Sequence, residues 1–234
     1  MISIITPVLN GERFVEKNIL SIQSLTVPFE HIIVDGGSTD KTLQIISKFP
    51  HVKVIHQTEK NGLYGAIHLG YENAKFDYLA WVNCDDIIYS QNYEFALKKA
   101  ISEKIDFVYG NSEFNWSNEN KITFQKANPF GKYFLKKGIL PFVQPSSIYS
   151  KKIYDVIKFN YETYRIIGDI DFFINIALND DFKFWYCRKT LSQFLKYGAS
   201  LGDLNHDLYL KERKLLNRNP NLVHKIMYKL TLNF

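Results

Sequence analysis

The sequence has few cysteines, no long apolar run and no strong excess of charge along most of its length. Two cysteines, Cys84 and Cys187, occur among 234 residues, which is too few for a disulfide scaffold or a four-cysteine zinc site. No apolar run approaches the roughly 20 residues that a membrane-spanning helix needs. The first residues lack a basic segment ahead of an apolar one, so we expect no signal peptide. These features favour a globular protein of the cytoplasm.

The net charge of +5 comes from the C-terminal end of the chain. Residues 211–234 contain six lysines or arginines and one acidic residue, Glu212, so the rest of the chain is neutral overall. A neutral body argues against nucleic acid as a partner. Apolar residues are interspersed with the basic ones, which predicts an amphipathic helical extension. Such a helix contacts an anionic membrane surface, or it packs on its own domain.

Short apolar runs alternate with helical patterns in the first half of the chain. Units of 20 to 30 residues with this alternation predict parallel crossovers and a doubly wound, mostly parallel α/β sheet flanked by helices. The predicted strands are 2–8, 31–34, 52–56, 78–82 and 107–109, and the predicted helices are 12–25, 39–49, 63–74 and 91–101.

The second half departs from this alternation. Residues 112–125 carry turn residues and predict a polar hairpin. A helix is predicted after Gly168, followed by a strand at 182–187. With no internal repeat and no linker, the pattern indicates one domain with a helical C-terminal extension.

Acidic residues follow predicted strands or begin a predicted helix at three places. Asp35 ends the second strand, Asp85 and Asp86 follow the fourth, and Asp169 and Asp171 begin the late helix. Ligands bind at the carboxyl ends of strands in an open parallel sheet. Adjacent carboxylates there could hold Mg²⁺ or Mn²⁺ together with phosphate oxygens. Taken singly, each segment also has a purely structural interpretation as a capped turn or helix start.

Five segments, in this order and spacing, resemble the family 2 glycosyltransferases, an inverting group with the GT-A fold. Their number and order make a chance match improbable. A loop of the type Asp35-Gly36-Gly37-Ser38 is common among relatives that build bacterial surface polysaccharides. The segments are 3–10, 33–42, 61–70, 81–86, and 144–147 taken with 164–171.

The resemblance implies a division of the chain and a reaction. Residues 1–202 would form the GT-A domain, with a nucleotide-sugar-binding half at 1–111 and an acceptor-binding half at 112–202. Residues 203–234 would be the basic extension, with peripheral membrane contact through 211–234. The implied reaction moves a sugar from a nucleotide diphosphate, with a UDP-sugar expected, to a hydroxyl of a saccharide or lipid-linked saccharide.

The resemblance also implies roles for individual residues. Asp85 and Asp86 would hold a divalent cation, Mn²⁺ or Mg²⁺, and Asp169 would be the general base. Gln144, Ser146 and Asp171 are expected on the acceptor side. The expected donor contacts are Pro7, Leu9, Asn10, Asp35, Gly36, Gly62, Asn83 and Cys84.

Three positions depart from the family pattern. Gly36 replaces a frequent Asp, Asn83 replaces the first Asp of the metal motif, and Leu69 stands where relatives often carry a basic residue. These departures leave open a sugar-nucleotide-binding module without catalysis. A nucleotidyltransferase, which shares the doubly wound sheet and the metal site, is the other alternative. His206, in the segment 202–207, is either a surface histidine or a further metal ligand.

Overall fold

The computed structural model describes residues 1–59, 61–198, 205–216, 218 and 220–232. Its first half contains β1 (Ile2–Val8), α1 (Val15–Gln23), β2 (Phe29–Asp35), α2 (Thr42–Ile46), β3 (Val52–His56), α3 (Gly62–Glu72), β4 (Tyr78–Trp81), β5 (Ile87–Ile88) and α4 (Ser90–Glu103). The second half contains β6 (Phe107–Trp116), β7 (Lys121–Gln125), α5 (Gly131–Lys136), a 3-10 turn (Gln144–Ser146), β8 (Ser147–Ser150), α6 (Lys151–Val156), α7 (Gly168–Leu178) and β9 (Phe184–Lys196). Two further helices follow, the Glu212 helix (His206–Leu215) and the C-terminal helix (Leu222–Thr231).

One mixed sheet of nine strands organises the described part of the chain, in the order β3-β2-β1-β4-β8-β6-β9-β5, with β7 paired to β6. The pairs β1–β2, β1–β4 and β2–β3 are parallel, so these four strands end at one edge. Every residue of β1 is buried. A strand covered on both faces explains the continuous apolar run at the start of the sequence. The predicted α/β class is confirmed.

Antiparallel pairs enter in the second half. β8 pairs antiparallel with both β4 and β6, and β5 pairs antiparallel with β9, whereas β6 and β9 are parallel. The predicted hairpin at 112–125 corresponds to the outer half of β6 together with β7. Both β6 and β9 run well beyond the strands predicted at 107–109 and 182–187, because the outer halves of the two strands pair with each other.

The core on the α3 and α7 side of the sheet is rich in aromatic residues. The Trp81 and Phe173 rings stack with centroids 5.5 Å apart, and Phe159 stacks on Phe172 at 4.2 Å. These contacts join the end of β4 to α7. Burial of such rings against one another is a large source of stability in a domain of this size. Leu69 also packs against this cluster, on the inner side of α3.

Both C-terminal helices pack on the second half of the domain. Asn128 donates from Nδ2 to the carbonyl of Tyr228 at 3.1 Å and to Oγ1 of Thr231 at 2.8 Å. The ring of Tyr228 meets that of Phe134 edge-on, with centroids 5.1 Å apart. Among the described residues, no helix is both long and apolar enough to cross a membrane.

Candidate active site

The loops that follow β1 and β2 are joined by hydrogen bonds at the carboxyl edge of the sheet. The backbone N–H of Asn10 donates to Oγ of Ser38, and the N–H of Thr39 donates to Oδ1 of Asn10, each at 2.9 Å. Asn10 has a φ of 52°, a left-handed conformation that Asn tolerates better than most residues. The side chain of Asn10 therefore supports the loop as well as lying at the predicted donor site.

Asp40 and Glu12 extend this connection, although neither was assigned a role from the sequence. The N–H of Glu12 donates to Oδ2 of Asp40 at 3.1 Å, and the N–H of Lys41 donates to Oε2 of Glu12 at 2.9 Å. Asp40 also accepts from the N–H of Thr42 at 2.9 Å, and these bonds lower the pKa of Asp40. The two loops therefore form one rigid unit.

Asp35 closes the turn at the end of β2. Its carboxylate is 1% exposed and accepts from the backbone N–H groups of Gly37 and Ser38, both at 3.1 Å. Nδ1 of His56 lies 3.5 Å away. The carboxylate is thus engaged in shaping the loop. A direct contact between Asp35 and a nucleotide base stays a prediction.

Leu9 and Gly36 lie side by side at the exposed edge. Leu9 is 61% exposed, and a Cβ built on Gly36 would lie 3.7 Å from Leu9, an ordinary van der Waals distance. A side chain at position 36 would therefore fit, and glycine leaves that space open. The side chain of Pro7, in contrast, is buried within β1, and Gly62 is exposed with a φ of 67°.

The loop after β4 is held by α1 and β9. Nδ2 of Asn18 donates to the carbonyls of Asn83 at 3.0 Å and Asp86 at 2.9 Å. The Asp86 side chain is 0% exposed, and its Oδ1 accepts from the N–H of Leu195 at 3.1 Å. Burial, and then the neighbouring charge of Asp85, raise the pKa of Asp86 well above its ordinary value.

Asp85 is the accessible carboxylate of the adjacent pair. It is partly exposed and forms a hydrogen bond with the hydroxyl of Tyr197, while burial raises its pKa. Burial and the Asp85 charge raise the pKa of Tyr197 to about 12, so its hydroxyl remains a donor at neutral pH. Burial also raises the pKa of the Cys84 thiol, which therefore stays protonated.

The oxygen atoms at this loop suit a hard divalent cation. Oδ1 of Asn83 and Oδ2 of Asp86 are buried without a hydrogen-bond partner among the described residues. Nowhere among the residues that the structure describes do three or more His, Cys, Asp or Glu side chains form a group that could hold a metal ion. A Mg²⁺ or Mn²⁺ ion held by one or two carboxylates, with phosphate oxygens completing its shell, needs no such group.

Asp169 begins α7 and is held by Tyr64. Its Oδ1 lies 3.1 Å from the Tyr64 hydroxyl and accepts from the N–H of Ile170 at 2.8 Å. Burial raises the pKa of Asp169 from its ordinary value to about 6, despite the opposing effect of these donors. A Cβ at Gly168 would lie 2.7 Å from the Tyr64 ring, so only glycine permits this approach.

A buried carboxylate also fixes the loop that leads to Asp169. Glu212 is 1% exposed and accepts from three consecutive backbone N–H groups, those of Arg165, Ile166 and Ile167, at 2.8, 2.9 and 3.0 Å. From the sequence, Glu212 was assigned no role beyond its charge. A lone acidic residue within a basic, helical segment was the signal that could have identified it.

A series of contacts links Asp169 to the edge where β2 and β3 end. The N–H of Gln57 donates to the carbonyl of Asp35 at 2.8 Å, and its Nε2 donates to the carbonyl of Gly62 at 3.2 Å. Gly62 begins α3, and Tyr64 lies in the first turn of that helix. The contact between Tyr64 and Asp169 therefore joins α7 to the edge that carries the Asp35 loop.

The predicted acceptor-side residues are placed differently from one another. Gln144 is buried and donates from Nε2 to the carbonyl of Trp81 at 2.8 Å, directly beneath the Asp85 loop. Ser146 is fully buried, with its Oγ 2.7 Å and 2.6 Å from the hydroxyls of Ser112 and Ser192. The expectation that Ser146 lines the acceptor site is therefore corrected, because no surface of it is open to a ligand. Asp171 is half-buried and accepts from Asn175 at 3.2 Å.

His206 lies at the start of the Glu212 helix. It is exposed, and its ring stacks on Tyr209 with centroids 6.2 Å apart. Residues 202–204 of the segment proposed around it lie outside the described residues, and so does residue 203, where the predicted extension starts. A metal-binding role for His206 stays a prediction.

The chain is similar to known glycosyltransferase sequences. Residues 3–166 match the family model described as glycosyl transferase family 2. A PGL/p-HBAD biosynthesis glycosyltransferase of Mycobacterium tuberculosis is 25% identical over 233 residues, covering 93% of this chain and 86% of its own. A glycosyltransferase of Haemophilus influenzae is 33% identical over 119 residues, covering 49% of this chain and 48% of its own.

Solved structures share the fold. Residues 1–349 of TarS from S. aureus, in complex with UDP-GlcNAc, superpose with a TM-score of 0.72 at 19% identity, over 97% of this chain and 70% of that one. The mannosyltransferase PcManGT from Pyrobaculum calidifontis, in complex with GDP-Man and Mn²⁺, superposes with a TM-score of 0.65 at 14% identity. The superposition covers 99% of this chain and 68% of that one. At sequence identities this low, the superpositions show that the fold is shared and nothing more.

Proposed function

Because the chain belongs to glycosyl transferase family 2, we propose that it transfers a sugar with inversion from a nucleotide diphosphate to a hydroxyl of a saccharide or lipid-linked saccharide. Its activity is that of a glycosyltransferase. The observation that supports the finer proposal is the contact of Asp169, a half-buried carboxylate with a pKa raised to about 6, with Tyr64 in the first turn of α3.

The donor is expected to bind across the joined loops after β1 and β2. Leu9 and the open space at Gly36 offer an apolar, uncrowded surface for a base. TarS binds UDP-GlcNAc and PcManGT binds GDP-Man. We take a UDP-sugar as the first donor to test, with a GDP-sugar as the second.

Asp85 would hold the divalent cation beside the donor diphosphate. It is the accessible carboxylate at the end of β4, and Tyr197 orients it by a hydrogen bond. When bound, the cation supplies positive charge that neutralises the leaving diphosphate. Asp86 is fully buried and bonded to the N–H of Leu195, and it shapes the turn beneath Asp85. Because its unpartnered Oδ2 is enclosed, we assign the cation to Asp85 and not to both carboxylates. The PcManGT complex contains Mn²⁺.

Asp169 would act as the general base. In an inverting reaction, the acceptor hydroxyl attacks the anomeric carbon on the face opposite the leaving diphosphate and loses its proton as it attacks. The carboxylate at Asp169 receives that proton. A pKa of about 6 keeps Asp169 largely ionised at neutral pH while making it a stronger base than an ordinary carboxylate. Tyr64 and the N–H of Ile170 fix its orientation.

The C-terminal helix would bring the enzyme to the inner face of the cytoplasmic membrane. Leu222, Ile226 and Leu230 lie four residues apart on one face of this helix and are 73%, 49% and 63% exposed. The segment 211–234 is also basic. Exposed apolar residues beside basic ones match the surface of an anionic bilayer.

The proposed function is tested by nucleotide release. The protein is incubated with UDP- and GDP-sugars and a panel of saccharide acceptors, with Mn²⁺ or with EDTA, and free nucleoside diphosphate and glycosylated product are quantified. Product together with UDP or GDP in the Mn²⁺ samples supports the proposal. Donor binding without product from any acceptor would favour a non-catalytic binding module, and pyrophosphate release from a nucleoside triphosphate would identify a nucleotidyltransferase.

A further inference from the structure

A cavity of about 360 Å³ opens beside α7, between the Glu212 helix, the C-terminal helix and residues 138–140. Its position next to Asp169 places it on the acceptor side of the proposed reaction. The lining residues that matter here are Ile170, Tyr209, Arg213, Lys225, Tyr228 and Lys229.

The polar lining of this cavity is cationic. Arg213, Lys225 and Lys229 all line it, and none of the lining side chains in the described part of the chain carries a carboxylate. Lys225 and Lys229 are four residues apart on the C-terminal helix, so their side chains lie on one face. Three like charges around a concave surface repel one another unless an anion lies between them. The cavity is therefore electrostatically suited to a negatively charged group.

The walls of the cavity are anchored to the domain. Nη2 of Arg213 donates to the carbonyl of Gly138 at 3.2 Å, which orients the guanidinium against the cavity wall. The preceding residue, Glu212, is buried and bonded to the three N–H groups at 165–167. Asn128 fixes the C-terminal helix through Tyr228 and Thr231. Hydrogen bonds to the domain thus fix both helices that carry the cations, while Lys225 and Lys229 themselves are exposed.

The cavity adjoins the proposed base. Ile170, which lines the cavity, follows Asp169 in α7 and donates its N–H to the Asp169 carboxylate. The positive charge of Arg213 also acts on Asp169 and lowers its pKa, in opposition to burial. A group bound in the cavity would therefore lie close to a hydroxyl that Asp169 deprotonates.

We propose that this cavity binds a phosphate group of the acceptor, so that the acceptor class is a phosphorylated saccharide. The inference rests on the proposed function and specifies its substrate. Arg213 would bind the phosphate oxygens through its fixed guanidinium, and Lys225 and Lys229 would add charge-assisted hydrogen bonds. The hydroxyl to be glycosylated would then project toward Asp169.

The test uses glucose 1-phosphate as the probe and glucose as the uncharged control. Binding is measured by saturation-transfer NMR with the full chain already saturated with UDP and Mn²⁺, so that the donor site is filled. We expect glucose 1-phosphate to bind and glucose not to bind. The double variant K225Q/K229Q should weaken binding about ten-fold or more, through loss of two charge-assisted contacts.

The matched control is K211Q/K214Q, which removes the same charge from exposed positions of the Glu212 helix that do not line the cavity. It should change binding by less than about two-fold, since exposed charges at a distance are screened. Thermal unfolding with UDP and Mn²⁺ checks that both variants fold and bind donor. If UDP and Mn²⁺ do not raise the melting temperature of the wild-type protein, that result counts against the proposed function itself, independently of the cavity.

Three results would overturn the inference. The first is equal binding of glucose and glucose 1-phosphate, and the second is equal weakening by the two double variants. The third comes from phosphatidylglycerol vesicles in a sedimentation assay. If K225Q/K229Q weakens vesicle binding but leaves glucose 1-phosphate binding unchanged, the cavity recognises a lipid headgroup and not the acceptor.

Discussion

The hydroxyl of Tyr64 lies 3.1 Å from Oδ1 of Asp169 and 2.8 Å from the carbonyl oxygen of Ile166. Tyr64 belongs to the first turn of α3, which begins at the carboxyl edge of the sheet, whereas Asp169 begins α7 in the second half of the chain. This contact joins the two halves at the proposed site of reaction. The predictions that follow test the residues on either side of it.

The first prediction concerns Asp169 itself. Asp169→Asn should lower transfer by about a thousand-fold, because the amide accepts no proton from the attacking hydroxyl. The variant should melt no lower than the wild type, since it removes a carboxylate whose charged form is disfavoured by burial. Its thermal shift with UDP and Mn²⁺ should be unchanged. Transfer at the wild-type rate would show that the base lies elsewhere.

The second prediction concerns pH. The proposed base must be deprotonated, so kcat/KM should fall about ten-fold per unit below a pKa of about 6 and level off above it. Tyr64→Phe removes a donor that lowers the pKa of Asp169, so the acidic limb should move to higher pH. Rates measured across pH 4.5–8.5 for both proteins check this sign, and a limb that moves to lower pH would contradict it.

The third prediction separates the two adjacent carboxylates. Asp85→Asn should abolish the response to Mn²⁺ in both turnover and thermal stability, because it removes the accessible charge at the cation site. Asp86→Asn is the matched control. Its amide oxygen can still accept from the N–H of Leu195, so most of the Mn²⁺ response should remain. Loss of the response only in the Asp86 variant would reverse the assignment.

The fourth prediction concerns the buried carboxylate of Glu212. Glu212→Ala leaves three backbone N–H groups without their acceptor, and it should lower the free energy of unfolding by about 3 kcal/mol. Glu212→Gln keeps one acceptor oxygen and should recover part of that loss. Urea unfolding measures both, with Asp207→Ala on the exposed side of the same helix as the control. Equal, small effects in all three would show that Glu212 does not anchor the loop.

The fifth prediction concerns membrane contact. Ile226→Glu with Leu230→Glu should abolish co-flotation with anionic vesicles, because it places charges on the exposed apolar face of the C-terminal helix. Leu20→Glu, at an exposed apolar position on α1, is the control and should leave flotation unchanged. Flotation that survives the double substitution would place the membrane contact elsewhere.

The sequence predicts the first half of the fold well because its physical signals are local. The run from Ile2 to Val8 is apolar except for Ser3 and Thr6, and strands of this kind are buried on both faces. The second half is harder, since β8 has only four residues and β6 beyond Asn111 mixes polar residues with Phe114 and Trp116. Such strands are specified by pairing with distant partners, which no local pattern reveals.

The site follows the same division. Asp85, Asp86 and Asp169 stand out from their positions at strand ends and a helix start, although their proposed roles await experiment. Glu212 and Tyr64 did not stand out, because each acts through residues 45 or more positions away. For Ser146 the sequence suggested a functional role that the structure does not support. Its place in a motif suggested a ligand contact, whereas the structure uses its hydroxyl to pair with two buried serines.

A crystal structure of the protein with UDP and Mn²⁺ would test the central claim most directly. We predict Mn²⁺ bound by the Asp85 carboxylate, with the diphosphate beside it and the Asp169 carboxylate facing the same pocket from the far side of the space for the sugar. A cation bound without Asp85, or an Asp169 side chain that faces a separate surface from the diphosphate, would contradict it.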